Sequence, residues 1–496
     1  MNYEPPLPDA ASQMLARFGS QIEYTANEPK GLINLTHAEV ANEDLRHLIF
    51  YPGFDALILD YTNISDAGLS FIGEMSNLER VGLYDALVSD TGLKSLLKLS
   101  KLEKLNIACA PGCFPPGLRP VPAANVRRNQ ITDRGLGYLT ELTSLRSLDL
   151  QATRVTDTGL SRYLPELSRL QKLSLAFLDI TDASLLALES LAWLESINLS
   201  HTAISNDAIV DLVIGKAFSL RRLNLSNTVV NDQALAECLP GSQLKKLELI
   251  DTGITDAACQ ECVECSWLTD LHLDFTDITD DGVRHLANCE HLRSLGLFKT
   301  KVTDTSLVWL SDSGIEDLGL GYTSITDAGI PALIEFPALE SLDLQGTSLT
   351  DKGLRFLSSA TNLKELRLEN TEISNAGIEF LLPLSLETLS LNPRIDNVGL
   401  STLALHNSLQ HLAIWNCNVT NWQPLTKLER LEVLLIDDSI TDLSPLRELD
   451  QLKFLLLCGN HFSPMALARL RLALPQCQIR MFPSCACALG EFWCLC

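Results

Sequence analysis

Apolar and polar positions along the chain follow one phrase, Leu-x-Leu-x-x-Thr-x-Ile-Thr-Asp-x-Gly-Leu with variations, which returns about every 24 residues. The first apolar residue of each Leu-x-Leu pair falls at Ile33, Leu57, Val81, Leu105, Leu148, Leu173, Ile197, Leu223, Leu247, Leu271, Leu295, Leu318, Leu342, Leu366, Leu389, Leu412, Leu434 and Leu455, which makes eighteen units. One step, from Leu105 to Leu148, is 43 residues long and contains an insertion of about 19, and the last two steps shrink to 22 and 21. A period of this kind marks a solenoid, in which each unit buries its apolar face only against its neighbours.

Within a unit, the alternating pair predicts a short strand with apolar side chains on one face and variable ones on the other. The Thr that follows recurs at Thr62, Thr153, Thr202, Thr228, Thr252, Thr276, Thr300, Thr323, Thr347 and Thr371. A hydroxyl there can bond backbone groups at the turn, and stacked copies are expected to form a ladder along the array. Next come pairs such as Thr132-Asp133, Thr255-Asp256 and Thr326-Asp327. Both residue types favour a helix N-cap, and Asp suits the positive end of the helix dipole. Gly353 with Leu354 and Leu357 then predicts a short helix on the convex side, leaving a parallel sheet on the concave side. Near the end, Ile440–Leu446 carries Pro445 where a longer helix needs a backbone donor, so a 3₁₀ turn or an extended segment is expected.

Over about residues 31–480 these phrases resemble leucine-rich repeats. The Ile-Thr-Asp-Ala-Gly-Leu version is similar to the cysteine-containing subtype of F-box ubiquitin-ligase adaptors and of bacterial repeat proteins. The Ile-Thr-Asp-Leu-Ser-Pro-Leu ending resembles the shorter repeats of internalins and phosphatase regulators. The resemblance implies an α/β fold, a right-handed leucine-rich-repeat solenoid or horseshoe, with parallel strands on the concave face and short helices on the convex face. It also implies protein binding as the commonest task, on a fold that hosts many unrelated ones.

Solenoid ends need covers. Pro8–Gly19, with Met14, Leu15 and Phe18 apolar, reads as an amphipathic helix, and Gln21–Thr25 alternates like a strand. Residues 1–30 are thus expected to cap the array at 31–481, and Phe462–Arg480 to supply a closing helix and last strand, ahead of a Cys-rich tail at 482–496. The net charge of −24, from 38 Lys and Arg against 62 Asp and Glu, opposes nucleic-acid binding, which needs a basic stripe. Neither a signal peptide nor an apolar run long enough to span a membrane is visible, so a cytoplasmic location without membrane association is expected.

Fourteen cysteines invite a metal or redox reading. Cys259, Cys262 and Cys265, however, fall in columns held elsewhere by core leucines such as Leu354 and Leu357, with Cys238 and Cys289 one repeat to either side. Small apolar core side chains are the expectation there, with no metal. The tail thiols Cys485, Cys487, Cys494 and Cys496 match no standard zinc spacing and leave zinc binding, acylation or a plain extension open. No nucleophile, P-loop or zinc-protease phrase is present, and no cofactor is implied.

Variable positions around the apolar pair point to the concave face, and their charges segregate. Earlier units place Arg80, Lys104, Lys172, Arg222 and Lys246 there; later ones supply Asp270, Asp274, Asp317, Asp343, Glu365 and Glu369, interrupted by Arg367. His272, Phe275, Phe298, Tyr322 and, further on, Trp415 accompany the acidic stretch. Aromatic anchors amid one sign of charge suit a protein partner with a basic segment, against the plainer reading of a solvated repeat face. The insertion, 108–130, is proline-rich and carries Arg119, Arg127 and Arg128, which makes it a second candidate surface. A non-catalytic interaction scaffold is the favoured reading. A substrate-recognition subunit of a ubiquitin ligase, for which residues 1–30 are too short to hold an F-box, and a thiol- or metal-dependent effector are the alternatives. Oligomeric state is not legible.

Overall fold

The structure is a computed structural model that describes residues 22–23, 31–49, 51, 53–110, 129–216, 218–391, 394–415, 417–437, 439–459 and 462–482. The chain divides into two compact units, Met1–Ile254 and Thr255–Cys496. In the first, the strand Ile22–Glu23 runs antiparallel to Gly31–Asn34, and every later strand is parallel to its predecessor. In the second, a parallel series runs from Asp270–His272 to the closing strand Gln478–Phe482. The marker residues of neighbouring repeats face each other, as Leu57 faces Val81 and Leu295 faces Leu318, so the register read from the sequence is the register of the sheet. Each unit is an open parallel sheet backed by short helices, the leucine-rich-repeat solenoid that the period implies.

Leucines of each pair are buried between the sheet and the helices, so the residues between them lie on the opposite, open face of the sheet. Seven-residue helices such as Asp133–Leu139, Asp280–Leu286 and Asp351–Leu357 form the backing layer. Where the final repeats lose the Gly-Leu signal, 3₁₀ turns replace them at Gln423–Lys427 and Pro445–Glu448, as Pro445 requires. The helix Pro464–Ala473 and the strand Gln478–Phe482, paired with Phe454–Cys458, close the second unit.

The insertion leaves the sheet intact: Lys104–Asn106 pairs directly with Ser147–Asp149, and the buried Asn129 bonds back to Cys109 and the Ile107 carbonyl where the chain returns. Arg119, Arg127 and Arg128 lie outside the described residues, as do the expected helix at Pro8–Gly19 and the four tail cysteines. Among the described residues no helix is long and apolar enough to cross a membrane.

Threonine does not build the ladder expected of it. Each Thr after the pair turns its hydroxyl back on the carbonyl three residues earlier in its own repeat, as Thr62 does to Leu59 and Thr276 to Leu273. The ladder belongs to the Asp of Thr-Asp instead. The Thr is the N-cap, and the Asp carboxylate reaches the next repeat, where it accepts both the backbone N–H and the hydroxyl of the next cap: Asp133 from Thr156, Asp280 from Thr303 and Asp327 from Thr350. The Gly two residues after each Asp makes room for the carboxylate arriving from the repeat before. A Cβ on Gly159 would stand 2.2 Å from Asp133 Oδ1, and one on Gly329 2.5 Å from Asp304 Oδ1. Where Ser replaces this Gly, at Ser184 and Ser306, the hydroxyl donates to the same carboxylate.

Candidate partner-binding face

A left-handed turn follows each strand and sets the geometry of the open sheet face. The residue before the Thr, or before Leu178 in the repeat that lacks it, adopts positive φ in repeat after repeat, including the aromatic Tyr61 (56°), Phe177 (57°), Phe275 (58°) and Tyr322 (55°). Bulky side chains disfavour this region by about 1–2 kcal/mol. The turn is held because the same residue donates its N–H to the next repeat, Phe275 to the Phe298 carbonyl at 2.7 Å and Tyr322 to the Gln345 carbonyl at 2.6 Å. Stacked turns align their side chains in a column. In the first unit this places His37 on Tyr61, with centroids 4.3 Å apart, and Phe177 on His201 at 3.8 Å.

In the second unit the column runs Phe275, Lys299, Tyr322, and Phe298 leans into it from the open face. Phe298 meets Phe275 at 5.4 Å and Tyr322 edge-on at 5.2 Å. Lys299 lays its ammonium over all three rings, 4.8 Å from Phe275, 5.7 Å from Phe298 and 5.3 Å from Tyr322, a cation–π arrangement built within one chain. Tyr322 remains 38% exposed, and its hydroxyl accepts from Asn370.

Beside the rings, Gly296, Gly319 and Gly321 leave a floor without side chains. A Cβ on Gly296 would meet His272 Nδ1 at 2.7 Å and the Asp274 carboxylate at 2.8 Å, and one on Gly321 would strike Phe298 at 2.5 Å with Asp343 Oδ1 at 3.4 Å. Over Gly319 the nearest atom is backbone, 3.6 Å away. These glycines therefore let His272, Asp274, Phe298 and Asp343 lie across the sheet. Asp274 accepts the Phe298 N–H at 2.7 Å and stands 3.9 Å from His272. Burial pushes the Asp274 carboxyl up, with Asp317 adding to the rise against the Phe298 N–H and His272. Burial likewise pushes Asp343 up to about 6, with Asp274 and Glu365 adding to the rise, and Glu369 up to about 7, with Asp343 adding to it.

Most of the acidic and aromatic residues singled out in the sequence thus meet on the open face of the second unit. Asp317 accepts from Ser294, Asp270 from Thr269, and Glu365 holds Arg367 at 2.7 Å. Trp415 stands apart, packed on an apolar group of Ala413, Leu435, Leu456 and Cys458. Lys299 and the three glycines escaped the sequence reading. A run of Gly in otherwise variable columns was the available signal. A comparable buried acidic group in the first unit, where burial raises Asp60 and Asp149 beside Tyr84, was not foreseen either.

Cys259, Cys262 and Cys265 are buried as the core reading expects; burial drives the Cys262 thiol well up and Cys289 to about 12, away from the thiolate a nucleophile needs. Cys458 is disulfide-bonded. Among the described residues no three His, Cys, Asp or Glu side chains are grouped to hold a metal.

Residues 141–162, 264–287 and 337–358 match the Leucine Rich repeat family. No curated protein matches the chain. Among solved structures, an internalin from Listeria monocytogenes is 19% identical with a TM-score of 0.44, covering 73% of this chain and 95% of that one. A chain of the Rad7 and Elc1 complex in yeast is 18% identical with a TM-score of 0.44, covering 70% and 83%. The Arabidopsis receptor kinase HAESA ectodomain, solved with a peptide hormone, is 16% identical with a TM-score of 0.38, covering 91% and 82%.

Proposed function

We infer that this leucine-rich-repeat protein is a non-catalytic scaffold that holds a protein partner on the open sheet face of its second unit, between Asp270 and Glu369. The cluster of Phe275, Phe298 and Tyr322 carries the reading. Three rings on a solvent-facing sheet surface, bordered by acids and stacked around a lysine, give rigid contact area of the kind that dominates interface energetics. The surrounding Asp274, Asp317, Asp343, Glu365 and Glu369 outnumber Lys299 and Arg367, which favours a partner that presents a basic segment.

Affinity capture from native lysate, with Phe298→Ala/Tyr322→Ala beside the wild type, tests this. Both side chains point away from the leucine core, so the double variant is expected to keep the wild-type circular dichroism spectrum. It is expected to lose its partner by about 2 kcal/mol of binding energy or more. A partner held equally by both proteins overturns this placement of the interface.

A further inference from the structure

We propose that residues 483–496 fold back over the open sheet face of the last repeats and cover an apolar patch there, fastened by a disulfide between Cys458 and Cys485 or Cys487. The first observation is a change in burial along the sheet. In the second unit the residue between the two apolar positions of a strand is half-buried at His272, Asp343 and Arg367. From the strand Thr388–Leu391 onward it is buried, at Ser390, Ala413, Leu435 and Leu456, which strand pairing sets side by side in one row. Leu435 is 8% exposed, Leu456 3%, and Cys458, two residues beyond Leu456 on the same face, 0%. A side chain on an open sheet face has neighbours beside it and none above, so burial this complete requires a further layer. The described side chains packed on the patch, Trp415, Val433 and Phe454, come from the same run of strands and supply its borders.

The second observation is covalent. Cys458 is disulfide-bonded, and its Cα stands opposite that of Phe482, the last described residue, in the closing strand. Cys485 and Cys487 follow Phe482 by three and five residues. A disulfide joins Cα atoms about 4.4–6.8 Å apart, and neighbouring strands stand about 4.8 Å apart. A chain that turns back at Pro483 and Ser484 therefore carries either sulfur to Cys458. Because Cys458 belongs to the open face, the bond brings the segment onto that face rather than onto the helices.

Composition fits the cover to the patch. Residues 483–496 hold one charged side chain, Glu491, beside Leu489, Phe492, Trp493 and Leu495. Ala413, Leu435 and Leu456 offer them an apolar surface where the preceding repeats present Asp343 and Arg367. From Leu456 to Ser390 the row crosses three strand spacings, about 14 Å, which the residues beyond Cys487 span with length to spare. Closure is a thiol–disulfide exchange. The two cysteine thiols give up two protons and two electrons, and a small disulfide, oxidised glutathione, takes them up and leaves as two thiols. Reduction reverses the exchange and releases the cover, so the patch is open in the reduced protein.

The test begins with the full chain equilibrated with oxidised glutathione. Its remaining thiols are blocked with N-ethylmaleimide, and it is digested without reduction for mass spectrometry. A peptide holding Cys458 joined to one holding Cys485 or Cys487 is expected. Hydroxyl-radical footprinting then compares the oxidised chain with the dithiothreitol-reduced one. Labelling of Trp415, Leu435 and Leu456 is expected to rise severalfold on reduction, with Phe275 and Phe298 unchanged. Cys485→Ser/Cys487→Ser alters no described residue and is expected to label like the reduced protein under both conditions. Maleimide or glutathione on Cys458 of the oxidised chain overturns the proposal. So does a link from Cys458 to any other cysteine, in this chain or a second copy, and so does equal labelling of the patch in both states.

Discussion

The Asp of the Thr-Asp pairs that start helices, such as Asp133, Asp280 and Asp327, joins one repeat to the next. Asp327 accepts the Thr350 N–H at 2.8 Å, the Thr350 hydroxyl at 2.6 Å and the Gly353 N–H at 3.1 Å. Asp327→Ala leaves these donors without an acceptor and is expected to cost about 2–3 kcal/mol, read as faster hydrogen exchange at the Thr350 amide. Unchanged exchange there would show that the bonds contribute little. The same relay fixes a pH dependence. Burial works against the charge of Asp157 and Asp280, yet bonds from Ser184 with Thr181, and from Ser306 with Thr303, hold both carboxyls below the ordinary range. Their stabilisation is present above the unfolded-state value and is lost as pH falls through the lowered folded-state values. Asp343 and Glu369 act in the opposite sense. Their folded-state values of about 6 and about 7 mean that stability is lost as pH rises toward neutrality. Glu369→Gln/Asp343→Asn is therefore expected to raise stability near neutral pH by about 1–3 kcal/mol, a difference that shrinks in thermal melts at about pH 4. The sequence showed Thr-Asp as a helix start because capping is a local rule. It did not show the partner of the carboxylate, which stands one repeat away, although the period places Thr350 opposite Asp327 for anyone who lines the repeats up.

At the scale of elements, the repeat is a strand, a left-handed turn and a short helix whose spacing is set by the Gly after the Asp. Gly159→Ala brings a Cβ to 2.2 Å from Asp133 Oδ1 and 2.8 Å from its Cβ, so either the carboxylate or the helix Asp157–Tyr163 must shift. About 1–3 kcal/mol of destabilisation is expected in urea unfolding. Gly215→Ala, at the end of the helix Asn206–Gly215 with nothing within 4 Å of the new Cβ, is expected to be neutral or to stabilise by up to about 1 kcal/mol. Equal effects at the two positions would detach the Gly column from the Asp relay. Strands, helices and the late 3₁₀ turns were legible because their periods and Pro445 act locally. The left-handed turn was not, because Phe275 and Tyr322 are residues that disfavour it. Its cause is a hydrogen bond supplied by the next repeat, which no single phrase contains.

At the scale of the whole molecule, charge and aromatic side chains distribute unevenly over surfaces that the repeat leaves free to vary. The open sheet face of the second unit gathers Phe275, Phe298 and Tyr322 with acids, whereas Trp193 (65% exposed), Phe218 (85%) and Trp267 (54%) sit at turns that enter strands, and Trp309 and Phe356 are exposed on helices. The alternation of the strands made the face legible in the sequence, and the acidic stretch pointed to its second half. What stayed hidden was convergence: which acids are buried, that Lys299 lies on the rings, and that Trp415 packs elsewhere. Hydroxyl-radical footprinting of the full chain, with and without its captured partner, tests the central claim most directly. The account predicts that Phe275, Phe298 and Tyr322 become protected while Trp193, Phe218 and Trp267 oxidise as before. Protection at those turn aromatics, with the three rings left as reactive as in the free protein, would contradict it.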